Sequence, residues 1–293
     1  MSKALGLHIA TETARRSLKA LPGIERFLRS RSGQALRHWL ALHLEKRESF
    51  TFTQFLRLPS QYDALTGPVL ELLGGPERTE PLRVVVVGCS TGAEPYTISS
   101  VLQHRVPDLP FMIDALDYDE KVLEIAARGT YPRPTVINNR FMSDTFVSET
   151  FDQLSDRFVV KRDVAERVRF RRCDLFDPGF ATATGSADIV YAQNILCNMP
   201  RGDARRAFDN ICALLKPVGV LFIDGMDLDM RARLTRVYDL QPLNYELERI
   251  HNEARVIRGE RYPWYATGLE PFNDRRKDLA RRYATVFYRG VLK

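Results

Sequence analysis

The chain has 293 residues, 44% of them hydrophobic and 27% charged, with a formal net charge of +6. These values are ordinary for a globular protein and exclude fibrous, low-complexity and intrinsically disordered classes. No apolar run approaches the roughly 18 residues of a membrane span. Met1–Ser2–Lys3–Ala4 does not open a signal-peptide core, so a cytoplasmic protein without membrane insertion is expected.

Cys89, Cys173, Cys197 and Cys212 form no C-x-x-C pair, and the five histidines lack zinc-ligand spacing, so reduced thiols and no metal site are expected. The 43 basic residues are interspersed with 37 acidic ones, and nucleic acid is not an expected partner.

From about Thr13 to Lys46, apolar residues recur at helical spacing with Arg15, Arg16, Arg26, Arg29 and Arg37 between them, which predicts an amphipathic helical N-terminal region. A helix-rich stretch continues over Tyr62–Leu73. Gly74–Gly75–Pro76 and the polar residues to Pro81 read as a link, which divides the chain into a helical region or lid over 1–78 and a main domain over 79–293. Strands are predicted near 82–88, 111–117, 167–172, 187–192, 218–224 and 283–290, and helices near 93–104, 119–128 and 203–216. This alternation predicts an α/β fold: a mostly parallel, Rossmann-like sheet with helices on both faces.

The four valines Val84–Val87 run into Gly88–Cys89–Ser90–Thr91–Gly92 and then a helix start, the arrangement with which α/β proteins hold nucleosides. The turn is not Gly-x-Gly-x-x-Gly, so a cofactor without a pyrophosphate fits it better. Ser90 or Thr91 is expected to cap the helix, with Pro95 in its first turn and Glu94 at the positive end of its dipole. Glu94 reads equally as a helix-start carboxylate or as an acceptor from a ligand ammonium. Asp117 ends the next strand, where its two oxygens match a vicinal diol, and Asp119 is expected to cap the following helix, leaving Asp117 free. Two further strands end in Asp174–Leu175 and Gln193–Asn194 at the same rim; Asp174 could accept from an adenine amino group, Leu175 pack on its ring and Asn194 meet an amino-acid part.

The segments Gly88–Thr97, Ala115–Ala126, Cys173–Asp177 and Tyr191–Leu196, with Phe52–Arg57 upstream, resemble the motifs of the CheR-type chemotaxis methyltransferases, a class I S-adenosylmethionine-dependent family. The resemblance covers about residues 50–225. It implies methyl transfer from S-adenosylmethionine, with S-adenosylhomocysteine as product. Glu94 would bind the methionyl amino group and Asp117 the ribose, and Asp174, Leu175 and Asn194 would line the cofactor. The wider cofactor set adds Thr53, Gly88, Ser90, Gly92, Tyr118 and Ile195. Arg57 would reach the cofactor carboxylate and the transfer site as the catalytic residue, although helical periodicity alone reads it as a solvated arginine.

The chain departs from the family where substrate is expected. Gln193 stands in place of an arginine before the asparagine, and Asn198 in place of a tyrosine four residues after it. An amide does not replace a bidentate guanidinium in kind. Tyr131 to Arg169 also lacks the glycine-bearing loop expected of a receptor-docking β-insertion. The acceptor expected from these departures is a small molecule or amino acid, free or carrier-bound, contacted by Gln193, Asn198, Tyr262 and Trp264. Alternatives are a protein-glutamate methyltransferase of chemotaxis-like signalling, a cofactor-binding regulatory module without turnover, and transfer of another carbon group. The aromatic-rich loop Arg261–Phe272 reads more simply as packed over the sheet than as a pocket wall.

Overall fold

Val84 and Val86 enter one hydrophobic core while Val85 and Val87 enter another, because successive side chains of a strand point to opposite faces of its sheet. A strand buried on both sides needs helices on both sides, and the computed structural model, which describes residues 23–44, 53–258 and 265–290, shows them.

Two N-terminal helices, α1 (Ile24–Arg29) and α2 (Arg31–Leu44), precede α3 (Pro59–Ala64), which runs on through a π turn at Leu65–Val69 to Leu72. Then follow β1 (Leu82–Val87), α4 (Ala93–Arg105), β2 (Phe111–Asp117) and α5 (Glu120–Arg128). The next segment holds β3 (Thr130–Pro132), α6 (Arg133–Ile137), α7 (Asp144–Thr150), β4 (Phe151–Leu154), β5 (Arg157–Val160) and α8 (Arg162–Ala165). The main sheet resumes with β6 (Val168–Arg172), α9 (Phe180–Thr184), β7 (Ala187–Gln193), α10 (Arg201–Ala213), β8 (Leu215–Asp224) and α11 (Leu228–Val237). The chain closes with β9 (Gln241–Pro242), α12 (Leu247–Arg258), α13 (Leu279–Tyr283) and β10 (Val286–Arg289).

Seven strands form one sheet in the order β6-β2-β1-β7-β8-β10-β9. Pairings from β6 through β8 are parallel, and β10 lies antiparallel to both β8 and β9. The chain starts at β1, winds outward through β2 to β6, then returns to β7 on the other side of β1. That reversal opens a crevice at the carboxyl ends of β1 and β7, where such sheets bind ligands. Phe55, Tyr62, Leu65, Val69 and Leu70 share the core cluster of β1, so the helix α3 is part of the wall beside this crevice.

The six predicted strands and three predicted helices are all present, with local differences. Helix α10 ends at Ala213 rather than 216, because Leu215 already pairs with Ala187 and a bulge carries the chain to Val220 opposite Ile189. Residues 279–283 are helical, and the final strand begins only at Val286. The helix α4 is capped by Gly92 at φ +90 with no side-chain cap bond, so the expected Ser90 or Thr91 cap is not formed. Ser90, at φ +50, and Thr91 are held in the turn itself, where the Thr91 carbonyl accepts from the Tyr131 hydroxyl at 2.6 Å.

The sequence reading missed a second sheet, β3-β5-β4, inserted between α5 and β6. Its strands of three and four residues are too short for alternation to register. The β4–β5 hairpin turns on Ser155 and Asp156 alone, with Leu154 opposite Arg157, so the β-insertion is present and its hairpin loop carries no glycine. No helix among the described residues is long and apolar enough to cross a membrane.

Candidate active site

The turn after β1 is shaped by contacts that only glycine permits. A Cβ on Gly88, which sits at φ +70, would lie 2.4 Å from Cγ2 of Ile195, and one on Gly92 would meet Ala126, Tyr131 and Phe170 within 3.2 Å. Ile195 therefore closes over the Gly88 backbone, joining the turns that follow β1 and β7. Asp117 at the end of β2 accepts the Ser90 N–H at 2.8 Å and the Asp119 N–H at 3.1 Å. It is thus not free, as expected from sequence, but organises the turn; each oxygen still keeps a lone pair for a diol. Burial pushes the Asp117 carboxyl up, opposed by the backbone N–H groups of Asp119, Ser90 and Tyr118. Asp119 caps α5 through the Lys121 N–H at 2.9 Å.

Glu94, in the first turn of α4, is the electrostatic centre of the crevice. Loss of solvent pushes its carboxyl up to about 7, the Arg57 guanidinium lowers it, and Asp224 at the end of β8 raises it further. Tyr62 of α3 and Tyr191 of β7 lie in the field of the same carboxylate, and burial drives both phenols far above their ordinary range. Arg57, half-buried, is therefore brought to Glu94, and the periodicity reading of a solvated arginine does not hold. The segment that carries it is fixed by Asn139, whose amide donates to the Phe55 and Leu56 carbonyls at 2.6 and 3.1 Å. Thr53 is half-buried at the start of that segment.

Asn194 adopts φ +59 just past β7, and its backbone N–H donates to the Asp224 carbonyl at 3.0 Å. Both polar atoms of its side-chain amide are buried without a hydrogen-bond partner. A buried amide leaves its donors and acceptor unmade only at a cost, so an unpaired amide at the switch point is an observation that calls for a ligand. A nucleoside amino acid fits the donor set: Glu94 for its ammonium, Asp117 for its ribose diol, Asn194 for its remaining polar groups, and a glycine turn against its backbone-facing edge.

The remaining candidates among the described residues are exposed, buried in the core or engaged in internal hydrogen bonds. Asp174 is exposed and closes an Asx turn by accepting the Phe176 N–H at 2.8 Å, while Leu175 is buried in the core. Tyr118 is 62% exposed, and its carbonyl accepts from Arg172. Asn198 folds back to donate to the Asn194 carbonyl at 2.9 Å. Gln193 is buried and donates to Gln61 at 2.8 Å. Tyr262 and Trp264 lie outside the described residues. Their neighbour Tyr265 is engaged by Arg31, which stacks on its ring at 4.2 Å and pairs with Asp229. The same helix α2 places His38 Nε2 at 2.6 Å from the Cys197 carbonyl, beside Asn198. No cluster of metal-ligating side chains occurs among the described residues.

Sequence reasoning missed Gln61, Tyr62, Tyr191 and Asp224. Tyr191 and Asp224 end or approach the ends of strands, and a search for polar residues at every strand tip would have found them. Gln61 and Tyr62 carry no such signal, since they reach the crevice through the packing of α3.

Residues 51–235 match the family model described as the CheR methyltransferase, S-adenosylmethionine-binding domain. The chain belongs to the CheR methyltransferase family. It is similar to the probable biofilm formation methyltransferase WspC of Pseudomonas aeruginosa, 29% identical over 85% of this chain and 61% of that protein. It is also similar to chemotaxis protein methyltransferase 2 of the same organism, 30% identical over 50% of this chain and 53% of that protein. The chain thus spans little more than half the length of these relatives. Among solved structures, magnesium protoporphyrin IX methyltransferase from Synechocystis with bound S-adenosylmethionine is similar at a TM-score of 0.37 and 13% identity, over 75% of this chain and 85% of that one. A likeness of that size carries no argument. The cofactor of this CheR-family domain is S-adenosylmethionine, and the donor set of the crevice suits it.

Proposed function

We infer that this CheR-family protein transfers the methyl group of S-adenosylmethionine to a carboxylate of a protein acceptor, as a protein-glutamate methyltransferase of chemotaxis-like signalling. The observation that carries the reading is the family match over residues 51–235, supported by relatives named as chemotaxis and biofilm-formation methyltransferases. When bound, the cofactor supplies a methyl group already activated by its sulfonium. The protein's part is to align and desolvate. Arg57, whose guanidinium acts on Glu94, would hold an anionic group there, with the Glu94 carboxylate taking the cofactor ammonium. Tyr62 and Tyr191, held un-ionised by burial, provide no base at neutral pH. A carboxylate acceptor is anionic already and needs none.

At the departures, Asn198 donates to the Asn194 carbonyl and Gln193 donates to Gln61, while Gln193 Oε1 is buried without a hydrogen-bond partner. The inserted sheet β3-β5-β4 is present, and its hairpin turn at Ser155–Asp156 lacks the glycine expected of a receptor-docking loop. Incubating the protein with methyl-tritiated S-adenosylmethionine and a purified glutamate-bearing chemoreceptor signalling domain tests the reading. Label released as methanol by mild base supports it. Base-stable label, label confined to small molecules, or no transfer overturns it.

A further inference from the structure

We propose that Gln61 and Gln193 are positioning residues: a buried amide staple that locks helix α3 to the end of β7 and so fixes the cofactor pocket between Asn194 and Glu94. Gln193 Nε2 donates to Gln61 Oε1 at 2.8 Å, and Gln61 Nε2 donates in turn to Thr285 Oγ1 at 2.7 Å. All three residues are at most 5% exposed. The Thr285 carbonyl accepts the Ile223 N–H at 2.8 Å, which anchors the far end of the chain on β8. Three elements that are distant in sequence are thus tied by side-chain hydrogen bonds in a low-dielectric interior, where a missing partner costs the most.

The position of the staple gives it a role beyond stability. On one side, the residue after Gln193 is Asn194, whose amide is buried and unpartnered. On the other, the residue after Gln61 is Tyr62, which lies in the field of Glu94 and Arg57. Each half of the pocket is therefore one residue from one half of the hydrogen bond, and a shift of α3 against β7 moves Tyr62 and Arg57 relative to Asn194. Gln193 reaches Gln61 through its amide nitrogen, while its Oε1 is buried without a hydrogen-bond partner.

The inference rests on the assignment of Asn194 and Glu94 to the cofactor, not on the nature of the acceptor. Its test is titration of S-adenosylhomocysteine into the full chain by calorimetry. Gln193→Met, which removes one hydrogen bond of the staple, should weaken binding by about fivefold, and Gln61→Met, which removes two, by more than that. The double variant should bind about as well as Gln61→Met, since the Gln193 bond is already lost in that single variant. Thr285→Val keeps its shape, does not touch the pocket, and should weaken binding in the same direction. Gln61→Glu, which can accept from both neighbours, should bind more tightly than Gln61→Met. Thermal melts of each variant establish that the folded protein is being titrated, and a purely structural role would lower the melting temperature without changing affinity. Wild-type affinity in Gln61→Met and Thr285→Val, or multiplied losses in the double variant, overturns the staple. Absence of binding by the unaltered protein overturns the cofactor assignment and the staple together.

Discussion

On the proposed assignment of Glu94 to the cofactor ammonium, cofactor binding is a proton-linked event. The Glu94 carboxyl titrates at about 7 in the unliganded protein, because burial and the neighbouring Asp224 outweigh Arg57. A cofactor ammonium pairs with the ionised form, so binding below that pH must expel a proton. About one carboxyl in eleven is ionised at pH 6 and about half at pH 7, so the apparent affinity for S-adenosylhomocysteine should fall about fivefold between them, or about 1 kcal/mol. Calorimetry at pH 6 in two buffers of different ionisation enthalpy should show release of about 0.9 proton per cofactor. Glu94→Gln should bind more weakly and lose the pH dependence in this window. Arg57→Ala removes the opposing cation, so it should move the acidic limb to higher pH. The sign for stability follows from the same shift: the contribution of Glu94 to the unliganded fold is complete below its usual value of 4.5 and is lost as pH rises through about 7. An affinity that is flat from pH 6 to 7, with heats independent of buffer, would refute the reasoning.

Other outcomes follow from single contacts. Gly88→Ala forces a Cβ to 2.4 Å from Ile195 at φ +70. It should cost about 1–3 kcal/mol and abolish cofactor binding, and an unchanged melting temperature would count against that geometry. Asp117→Asn exchanges an oxygen that accepts a backbone N–H for an amide that repels it; affinity for S-adenosylhomocysteine should fall by about tenfold or more, read by calorimetry. Arg231 is fully buried 3.7 Å from Asp224. Arg231→Met should destabilise by about 3–5 kcal/mol in urea titration, because it breaks a buried ion pair and removes the hydrogen bond to the Arg282 carbonyl.

The chain by itself determined the sheet and the first half of the site. Continuous valines in β1, alternating strand and helix patterns, and glycines after the first strand are local signals, and each depends on residues adjacent in sequence. Glu94, Asp117 and Asn194 stood out as candidates for the same reason: they sit at strand tips or a helix start, where the topology brings parallel strands to one rim. The tertiary structure decided the rest. The order β6-β2-β1-β7-β8-β10-β9 sets which tips are neighbours, and α3 reaches Glu94 only through packing, which is how Tyr62 and Gln61 enter the site. The short strands of β3-β5-β4 carry no periodicity and form because they pair with one another. Gln193, read from sequence as a substrate residue, is turned inward by a partner 132 positions away, a contact that no local pattern encodes.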